Sequence, residues 1–410
     1  MNKDVAFKGV NSVLIVHHGQ GIGGGLIALI GLIEELKKSN HVRVLSIFDG
    51  IAVDYVRRTG VTVIVPTCKF YSKYYQLFIH SDASYFNIID YIRGLKALFL
   101  YFLSKYYFSK KVLKDIASEN DVIYLNSTFI SDWAYAANVL GKKVIIHIRE
   151  PLSAGLFGIR RKIIRGAIEK YCDAIVAISH DNSRRVGLEQ KTTVVYDPVV
   201  TVNRVRSATE MKATNSKSFV YLGGMSRIKG FEQLVESLKY LDVDVRIYFL
   251  GGCSNYAKNG SKRLLRAILD PFFIKNQRLI SRLRESKNII NVGLVDDVFK
   301  YYENSIAVIC PFSKPHASLP ILEAFSMGKP VIVSDVKGME ELVDESNGIF
   351  FANLKPESLA TKINEMARLT ATDYGEMRLA CFRKYKWIRE QTASVASVVD
   401  RVQNMGRTRA

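Results

Sequence analysis

The sequence is poor in proline and cysteine, and neither residue type is arranged in a pattern that defines a fold. It has 9 Pro and 5 Cys in 410 residues, and the cysteines show no paired spacing. They are Cys68, Cys172, Cys253, Cys310 and Cys381. This scarcity argues against a disordered or collagen-like chain, a zinc site and a secreted disulfide framework, and it favours a reducing cytoplasm.

No long, unbroken apolar run is present either. Residues 11–33 carry no formal charge, but histidines, a glutamine and a glycine-rich centre interrupt them. Because a membrane-spanning helix needs about 20 predominantly apolar residues, we predict a strand, a loop and a helix there. The start of the chain contains Lys3, Asp4 and Lys8 and lacks the apolar core of a signal peptide, which predicts a protein that is not secreted.

Positive charge is in excess. Lys and Arg number 58 against 39 Asp and Glu, giving a formal net charge of +19. Such an excess attracts polyanions, among them nucleic acid, anionic lipid and phosphorylated substrates. No nucleic-acid-binding motif is found, so we predict no nucleic-acid partner. The 48% hydrophobic content is that of a globular chain, and the length predicts two or three domains.

Short Val- and Ile-rich runs alternate with helical periodicity, which is typical of a parallel sheet covered by helices on both faces. The predicted strands are residues 13–17, 42–48, 61–65, 122–126, 144–147, 174–178, 194–195, 219–222, 245–250, 289–292, 307–310, 331–334 and 348–351. We therefore predict an α/β protein with two doubly wound, Rossmann-like domains. The predicted parts are 1–202, a linker at 203–217, a second domain at 218–372, and a helical segment at 373–410 that packs back toward the first domain.

A glycine-rich loop follows the first predicted strand. Residues 19–24 spell G-x-G-x-x-G, and Asp49 ends the next strand. Three interpretations stay open. The loop binds a dinucleotide whose ribose contacts Asp49, it is a tight turn without a ligand, or it faces a phosphate or sugar presented by the second domain.

The segment 305–343 contains a buried strand, a polar loop and a helix that begins near Leu319. Free amides at Ser318 and Leu319 would suit a diphosphate. Glu323, one turn further on, can accept hydrogen bonds from ribose hydroxyls. The alternative is that Glu323 is a solvated helix acid.

The run LPILEAFSMGKPVIVSDVKGMEELV resembles the donor-binding domain of glycosyltransferase family 4, whose members are retaining enzymes of the GT-B architecture. The stretch YLGGMSRIKG looks like that family's phosphate-binding loop. The resemblance extends over nearly the whole chain and is strongest over about 218–350. It implies two Rossmann-like domains that face each other across a cleft, with a nucleotide-diphosphate sugar bound by the second.

The resemblance also implies roles for individual residues. It makes His147, Lys229 and Glu323 catalytic, with His147 contacting the transferred sugar; a purely structural His147 is the alternative. The implied donor phosphate and sugar contacts are Gly23, Gly24, Arg227, Lys229, His316, Ser318 and Leu319. The implied nucleoside contacts are Gly251, Val295 and Glu323.

Two positions depart from the family pattern. Pro315 stands where the family has a glutamate seven residues before Glu323, and Gly224 stands where an arginine is common. Arg227 lies nearby in the sequence and carries a substitute positive charge. The departures leave two further hypotheses open, namely a catalytically impaired GT-B-like binding or scaffold protein and a dinucleotide-dependent oxidoreductase.

No metal or cofactor is demanded beyond the nucleotide-sugar co-substrate. Lysine and helix dipoles can offset the diphosphate charge. The only Asp-x-Asp sequence, at 242–244, falls in a predicted turn. No obvious pair of catalytic carboxylates is found, which agrees with the same-face attack without a protein nucleophile that the resemblance implies.

Basic residues interleaved with aromatics occupy residues 69–114, and Arg160, Arg161, Lys162 and Arg165 form a second basic helix. This pattern suits a helix lying in an anionic membrane interface. The alternative is that the aromatics fill a core. Residues 253–287 are a further basic candidate for membrane or acceptor contact. We therefore expect a cytoplasmic enzyme, peripheral at the inner face of the cell membrane, that extends a lipid-linked glycan acceptor in surface-polysaccharide assembly, as lipopolysaccharide enzymes do.

Overall fold

The computed structural model describes residues 11–78, 88–118, 121–152, 154–199, 217–252, 271–315 and 319–405. These residues divide into two compact units. The first unit holds the described residues of 11–78, 90–199 and 392–405, and the second holds residues 88–89 and the described residues of 217–391. Most of the predicted linker, the basic segment 253–270, His316 and Ser318 lie outside the described residues.

The first unit is built on a parallel sheet with the strand order β3-β2-β1-β4-β5-β6-β7. Its strands are β1 (Asn11–His17), β2 (Asn40–Ser46), β3 (Thr62–Ile64), β4 (Asp121–Leu125), β5 (Lys143–Ile148), β6 (Ala174–Ala177) and β7 (Thr192–Val194). Its helices before the linker are α1 (Gly24–Leu36), α2 (Ile51–Arg57), α3 (Ile88–Leu103), α4 (Ser109–Ile116), α5 (Asp132–Val139), α6 (Ile159–Tyr171) and α7 (His180–Val186). A π-helical turn, Ser104–Phe108, joins α3 to α4.

Strand β1 shows why this sheet requires helices on both faces. Val13 and Ile15 pack into one apolar cluster, which includes side chains of α1. Leu14 and Val16 pack into a different cluster, which contains Trp133 of α5. All four strand side chains are fully buried. Since successive strand side chains point to opposite faces, a continuous apolar run is stable only where both faces are covered.

The second unit repeats the design with the strand order β10-β9-β8-β11-β12-β13, again parallel. Its strands are β8 (Ser218–Tyr221), β9 (Arg246–Leu250), β10 (Ile289–Gly293), β11 (Ala307–Cys310), β12 (Val331–Ser334) and β13 (Gly348–Phe351). Its helices are α8 (Phe231–Ser237), α9 (Pro271–Glu285), α10 (Phe299–Glu303), α11 (Leu319–Ser326), α12 (Pro356–Ala367) and α13 (Ala371–Gln391).

The predicted fold class is confirmed. Each predicted strand is present with bounds within two residues of those expected from the sequence. The structure has two doubly wound α/β sheets, each built of parallel strands. Within the described ranges, no helix combines the length and apolar character needed to cross a bilayer.

The last two helices belong to different units. Helix α13 is part of the second unit, and α14 (Val395–Asn404) is part of the first. Val395, Val398, Val399 and Val402 of α14 are buried in the same cluster as α1. Glu35 of α1 caps α14, because its Oε1 accepts hydrogen bonds from the Ser394 hydroxyl and the Val395 amide, each at 2.7 Å.

Replacing Glu35 by Ala should loosen the attachment of α14 to the first unit. A carboxylate at a helix N-terminus satisfies orphan amides and interacts favourably with the helix dipole, so we expect a loss of about 1 kcal/mol. Hydrogen exchange of residues 395–404 measures the effect locally. Glu34→Ala is the matched control, because the Glu34 carboxylate pairs with the exposed Lys37 at 2.6 Å rather than with the start of α14. Equal exchange in both variants would contradict the assignment.

Candidate functional site

Each sheet has one place where the chain order reverses, and ligands of doubly wound sheets bind at the carboxyl ends of the strands at that point. In the second unit the reversal lies between β8 and β11, and in the first it lies between β1 and β4. The predicted residues Lys229 and Glu323 follow β8 and β11, respectively. The reversal in the second unit is therefore the first place to examine.

The loops after β8 and β9 cross there, and their backbones are in contact at Gly224 and Gly251. Gly224 has a φ of +52° and Gly251 a φ of +119°. A Cβ atom on Gly251 would lie 2.7 Å from Gly224 Cα, so no larger residue fits without a shift. The Gly224 amide donates to the Leu250 carbonyl at 3.1 Å, and the Gly251 amide donates to the Gly293 carbonyl at 2.7 Å. Gly224 thus has a left-handed backbone, which glycine adopts without the steric cost that a side chain such as arginine would add.

Lys229 is positioned by a second close approach. Gly230, the N-cap of α8, has a φ of +84°, and a Cβ on it would lie 1.7 Å from the Pro311 carbonyl oxygen. Ser313 holds the same loop from the β11 side, since its amide donates to the Ile228 carbonyl at 2.9 Å and its hydroxyl to the Arg227 carbonyl at 3.0 Å. The segment that carries Lys229 is thus fixed against the carboxyl end of β11.

Glu323 lies on the second turn of α11 and is only 6% exposed. The Tyr302 hydroxyl, fully buried on α10, donates to Glu323 Oε2 at 2.9 Å. Burial and the Glu323 carboxylate both raise the pKa of Tyr302, so the phenol stays protonated and continues to donate. The alternative of a solvated helix acid is wrong, because this carboxylate is held inside the unit.

Lys229 and Glu323 interact electrostatically. Burial lowers the pKa of Lys229 below its usual value, while the nearby Cys310 and the Glu323 carboxylate oppose that shift. The fold therefore brings together a half-buried ammonium group and a buried carboxylate that the sequence separates widely. Buried charges of this kind are concentrated at functional sites.

The other predicted donor and nucleoside contacts differ in burial and in their side-chain partners. Arg227 forms an ion pair with Glu232 of α8 at 3.2 Å, and Glu232 also pairs with Lys275. Leu319 begins α11 and is buried, whereas Val295 is half-buried beyond the end of β10. His316 and Ser318 lie outside the described residues, so their roles stay predictions.

Polar residues converge at the reversal point of the first unit as well. The sheet register aligns His17 of β1, Asn126 directly after β4 and His147 of β5 in one row. Arg149 Nε donates to Asn126 Oδ1 at 2.7 Å, and Arg149 Nη1 donates to Asp197 Oδ1 at 2.6 Å. Asn126 Nδ2 lies 3.2 Å from His17 Nδ1. Since the Asn126 oxygen is already an acceptor, its amide donates to Nδ1 and leaves the proton of a neutral His17 on Nε2.

Both histidines are neutral. Burial first, then the charges of His18 and Arg149, lower the pKa of His17 to about 3. Burial and Arg149 hold the pKa of His147 well below its usual value. Within the described ranges, His17 Nε2, His147 Nε2 and Arg149 Nη2 are buried without a hydrogen-bond partner. Such groups are rare, and they mark places where a ligand or water completes a network.

His17, Asn126 and Arg149 were missed by the sequence analysis, although a usable signal existed. His17 ends its strand as His147 nearly does, and Asn126 and Arg149 directly follow β4 and β5. Polar side chains at the carboxyl ends of parallel strands meet at one edge of the sheet. Their partners could not be read from the sequence, because register and strand order decide them.

The glycine-rich loop of residues 19–24 lies at the same edge. Gly23 is the N-cap of α1, has extended backbone and provides no side-chain cap to the first helical turn, which starts at Gly24. A Cβ on Gly23 would meet no atom within 4 Å, unlike one on Gly230 or Gly251. Packing within the chain therefore does not require glycine at position 23. Asp49 Oδ1 accepts a hydrogen bond from the next amide, that of Gly50, at 2.9 Å.

In the part of the chain that the structure describes, no three His, Cys, Asp or Glu side chains come together as a metal site. The Asp-x-Asp sequence is divided between two ion pairs, Asp242 with Arg368 at 2.7 Å and Asp244 with Lys217 at 2.5 Å. These two carboxylates thus pair with two different basic side chains on the surface.

The two parallel Rossmann-like sheets are those of the GT-B fold, and solved structures of similar architecture support this class. The structure is similar to that of Anabaena Alr3699/HepE in complex with UDP and glucose, with a TM-score of 0.69 and 16% identity over 96% of this chain and 100% of that chain. The same protein has also been solved with UDP and with UDP-glucose. Residues 216–368 match the family model of Glycosyl transferases group 1.

Two curated proteins are similar in sequence over part of the chain. An uncharacterized glycosyltransferase of Methanocaldococcus jannaschii is 24% identical over 206 residues, which are 47% of this chain and 47% of that protein. The D-inositol 3-phosphate glycosyltransferase of Xylanimonas cellulosilytica is 25% identical over 179 residues, 42% of this chain and 40% of that protein. The matches span less than half the length of either relative.

The glycine crossing generates a stability prediction. Gly251→Ala should destabilise the second unit by about 2 kcal/mol, because the new methyl group meets the Gly224 backbone and the residue must keep a strained conformation. Chemical unfolding of the full chain measures this. Gly252→Ala is the matched control, since a Cβ there meets nothing within 4 Å. A Gly251→Ala protein as stable as the control would show that the crossing is not a constraint.

Proposed function

We propose that the protein is a retaining glycosyltransferase that moves a sugar from a nucleotide-diphosphate sugar to a lipid-linked glycan acceptor. The observation that carries this proposal is that Lys229 and the buried Glu323 follow β8 and β11, the two neighbouring strands at the reversal point of the second sheet. One group provides positive charge for a diphosphate and the other accepts hydrogen bonds from a ribose. The match of residues 216–368 to Glycosyl transferases group 1 supports it.

Donor binding follows from the chemistry of these groups. The Lys229 ammonium and the N-terminal amides of α11 suit the two phosphates, because both offer positive charge to an anion. Glu323 suits the ribose hydroxyls, since its other partner, Tyr302, fixes the carboxylate in place. Gly251 and Val295, near the ends of β9 and β10, complete the nucleoside contacts. The UDP complexes of HepE support a nucleotide as ligand.

In the proposed reaction the bond between the anomeric carbon and the phosphate oxygen breaks, and its electron pair leaves with the diphosphate. The acceptor hydroxyl forms the new glycosidic bond on the same face, and its proton passes to the departing phosphate oxygen. Charge on the leaving diphosphate rises in the transition state, so preorganised donors lower the barrier. Lys229, with Arg227 released from Glu232, provides that positive charge in this scheme.

The first unit supplies the acceptor-side groups in this proposal. His147 contacts the transferred sugar, and the Gly23–Gly24 amides contact a donor phosphate or sugar. The unpartnered His147 Nε2 supports the first role, and the open space around Gly23 supports the second. The reaction takes place at the cytoplasmic face of the membrane, where lipid-linked intermediates of surface polysaccharides are extended.

Removal of either donor contact should weaken nucleotide binding. We expect Lys229→Ala and Glu323→Gln to reduce affinity for the cognate nucleoside diphosphate by about 10- to 100-fold, the usual cost of losing a hydrogen bond to a charged group. Calorimetry over UDP, GDP and dTDP identifies the base and measures the loss. Lys239→Ala, an exposed lysine after α8, should bind like the unmodified protein.

The same nucleotide-binding measurements, combined with assays of donor-sugar turnover, separate the proposal from the scaffold hypothesis. That hypothesis is favoured by Pro315, which replaces a glutamate of the family pattern. Nucleotide binding with no transfer or hydrolysis of any donor sugar would support a binding protein. No binding of any nucleoside diphosphate would contradict the donor site itself.

His147 should affect turnover rather than nucleotide affinity. We expect His147→Ala to lower donor-sugar turnover by about 100-fold and to bind the nucleoside diphosphate within about twofold of the original. The exposed His41 provides the control variant His41→Ala. A His147→Ala protein with unchanged turnover would assign this histidine a structural role only.

A further inference from the structure

Tyr124 is a buried polar side chain that the proposed reaction does not use. It lies on β4, has no exposed surface, and belongs to the apolar cluster that includes side chains of α1 and α14. Its hydroxyl oxygen lies 2.8 Å from His147 Nδ1. A hydroxyl buried among apolar side chains is costly unless it is hydrogen-bonded, so the contact with His147 is a requirement of this packing.

The sheet register brings the two side chains together. Tyr124 is paired with Ile145 of β5, and His147 lies two residues further along that strand. Since alternate residues of a strand point to one face, Tyr124 and His147 share a face of the sheet. Their rings meet edge to face, with centroids 5.9 Å apart and an interplanar angle of 89°. Two buried strands therefore fix both ends of the hydrogen bond.

The Tyr124 hydroxyl is the donor of this hydrogen bond. A phenol has one hydrogen, and among the described residues its partner is His147 Nδ1. Burial raises the pKa of Tyr124, although Arg149 opposes that shift. The Glu35 and Asp197 carboxylates raise it further, so the phenol keeps its proton. Burial and Arg149 hold the pKa of His147 well below its usual value, and the unprotonated nitrogen of a neutral imidazole is a good acceptor.

The tautomer of His147 follows from this hydrogen bond. With Nδ1 as the acceptor, the proton of the neutral ring is on Nε2. The opposite tautomer would point the Nδ1 proton at the phenol oxygen and leave the Tyr124 hydrogen without an acceptor among the described residues. His147 Nε2 is buried and, within the described ranges, has no hydrogen-bond partner. The ring thus presents one N–H group and no free lone pair to a ligand.

A second histidine of the same sheet edge is held in the same state by a different side chain. Asn126 Nδ2 lies 3.2 Å from His17 Nδ1, and the Asn126 oxygen accepts from Arg149 Nε, so the amide donates to the ring. A Cβ atom on Gly19 would lie 2.5 Å from His17 Nε2, so that nitrogen faces the glycine-rich loop. Two different neighbours, a phenol and an amide, therefore both leave the ring proton on Nε2, which supports a functional use of this tautomer.

We propose that Tyr124 is a positioning residue that holds His147 as an Nε2–H hydrogen-bond donor. In this state the ring donates to an oxygen of the transferred sugar and cannot remove a proton from the acceptor hydroxyl. The use of that hydrogen bond in transfer rests on the proposed function, in which the acceptor proton passes to the departing phosphate oxygen. The tautomer itself requires neither a bound nucleotide sugar nor turnover and is tested separately.

Nitrogen NMR of the full chain with isotope-labelled histidine tests the tautomer. The chain has 7 histidines, and the signals of His147 are those absent from the spectrum of His147→Ala. An unprotonated ring nitrogen resonates far downfield of a protonated one, so we expect Nδ1 downfield and Nε2 upfield in the unmodified protein. In Tyr124→Phe the Nδ1 signal should move toward that of a protonated nitrogen, because the hydrogen bond that favours one tautomer is lost.

Turnover measures the consequence of the tautomer. Tyr124→Phe keeps the ring, so we expect donor-sugar kcat to fall about tenfold, less than on loss of the whole imidazole, with nucleoside diphosphate affinity within about twofold. Tyr101→Phe is the matched control, because Tyr101 is also a buried tyrosine of the first unit and its hydroxyl lies 3.1 Å from Ser131 Oγ. Both variants should lose similar stability in chemical unfolding, whereas Tyr101→Phe should keep its turnover and the His147 spectrum.

Three outcomes would overturn the proposal. The first is a protonated Nδ1 on His147 in the unmodified protein. The second is a His147 spectrum that Tyr124→Phe leaves unchanged. The third is a loss of turnover in Tyr124→Phe no larger than that in Tyr101→Phe. A chain that turns over no donor sugar would contradict the proposed function instead, and the spectra would still decide the tautomer.

Discussion

The position of Lys229 depends on one steric constraint, the close approach of Gly230 to the Pro311 carbonyl. The loop after β8 can pass the end of β11 only because position 230 has no Cβ and adopts a left-handed backbone. Ser313 then ties the loop to the β11 side through two hydrogen bonds. A lysine directly before the N-cap of α8 is thereby placed near enough to a glutamate on α11, which follows a different strand, for that glutamate to affect its pKa.

A second constraint acts on the partner of that lysine. Glu323 is buried, and a buried carboxylate is costly unless it is paired and hydrogen-bonded. Tyr302 provides the hydrogen bond and Lys229 the opposite charge. The carboxylate therefore keeps one orientation before any ligand arrives, and preorganisation of this kind is what binding and transition-state stabilisation require.

The first unit meets the same requirement with a longer network. Asp197, Arg149 and Asn126 form a hydrogen-bonded chain that ends on His17 Nδ1 and fixes the tautomer of that ring. Burial and the Arg149 charge keep both histidines neutral. The two rings can therefore offer a ligand a hydrogen bond but no positive charge. The residues that organise this edge, unlike His147, have no counterpart among those inferred from the resemblance.

The sequence determined the elements. Alternating apolar strands and amphipathic helices require a covered parallel sheet, which is why the thirteen strands of the described residues and the α/β class could be predicted. Lys229 and Glu323 could also be named, because they lie in local motifs whose resemblance to glycosyltransferase family 4 implies their roles. Only the tertiary structure decided that Glu323 is buried against Tyr302, that Arg149 reaches Asn126, and that Phe99 faces outward while Tyr101 faces inward. Strand order, register and helix rotation set those contacts, and they arise from packing between segments far apart in the chain.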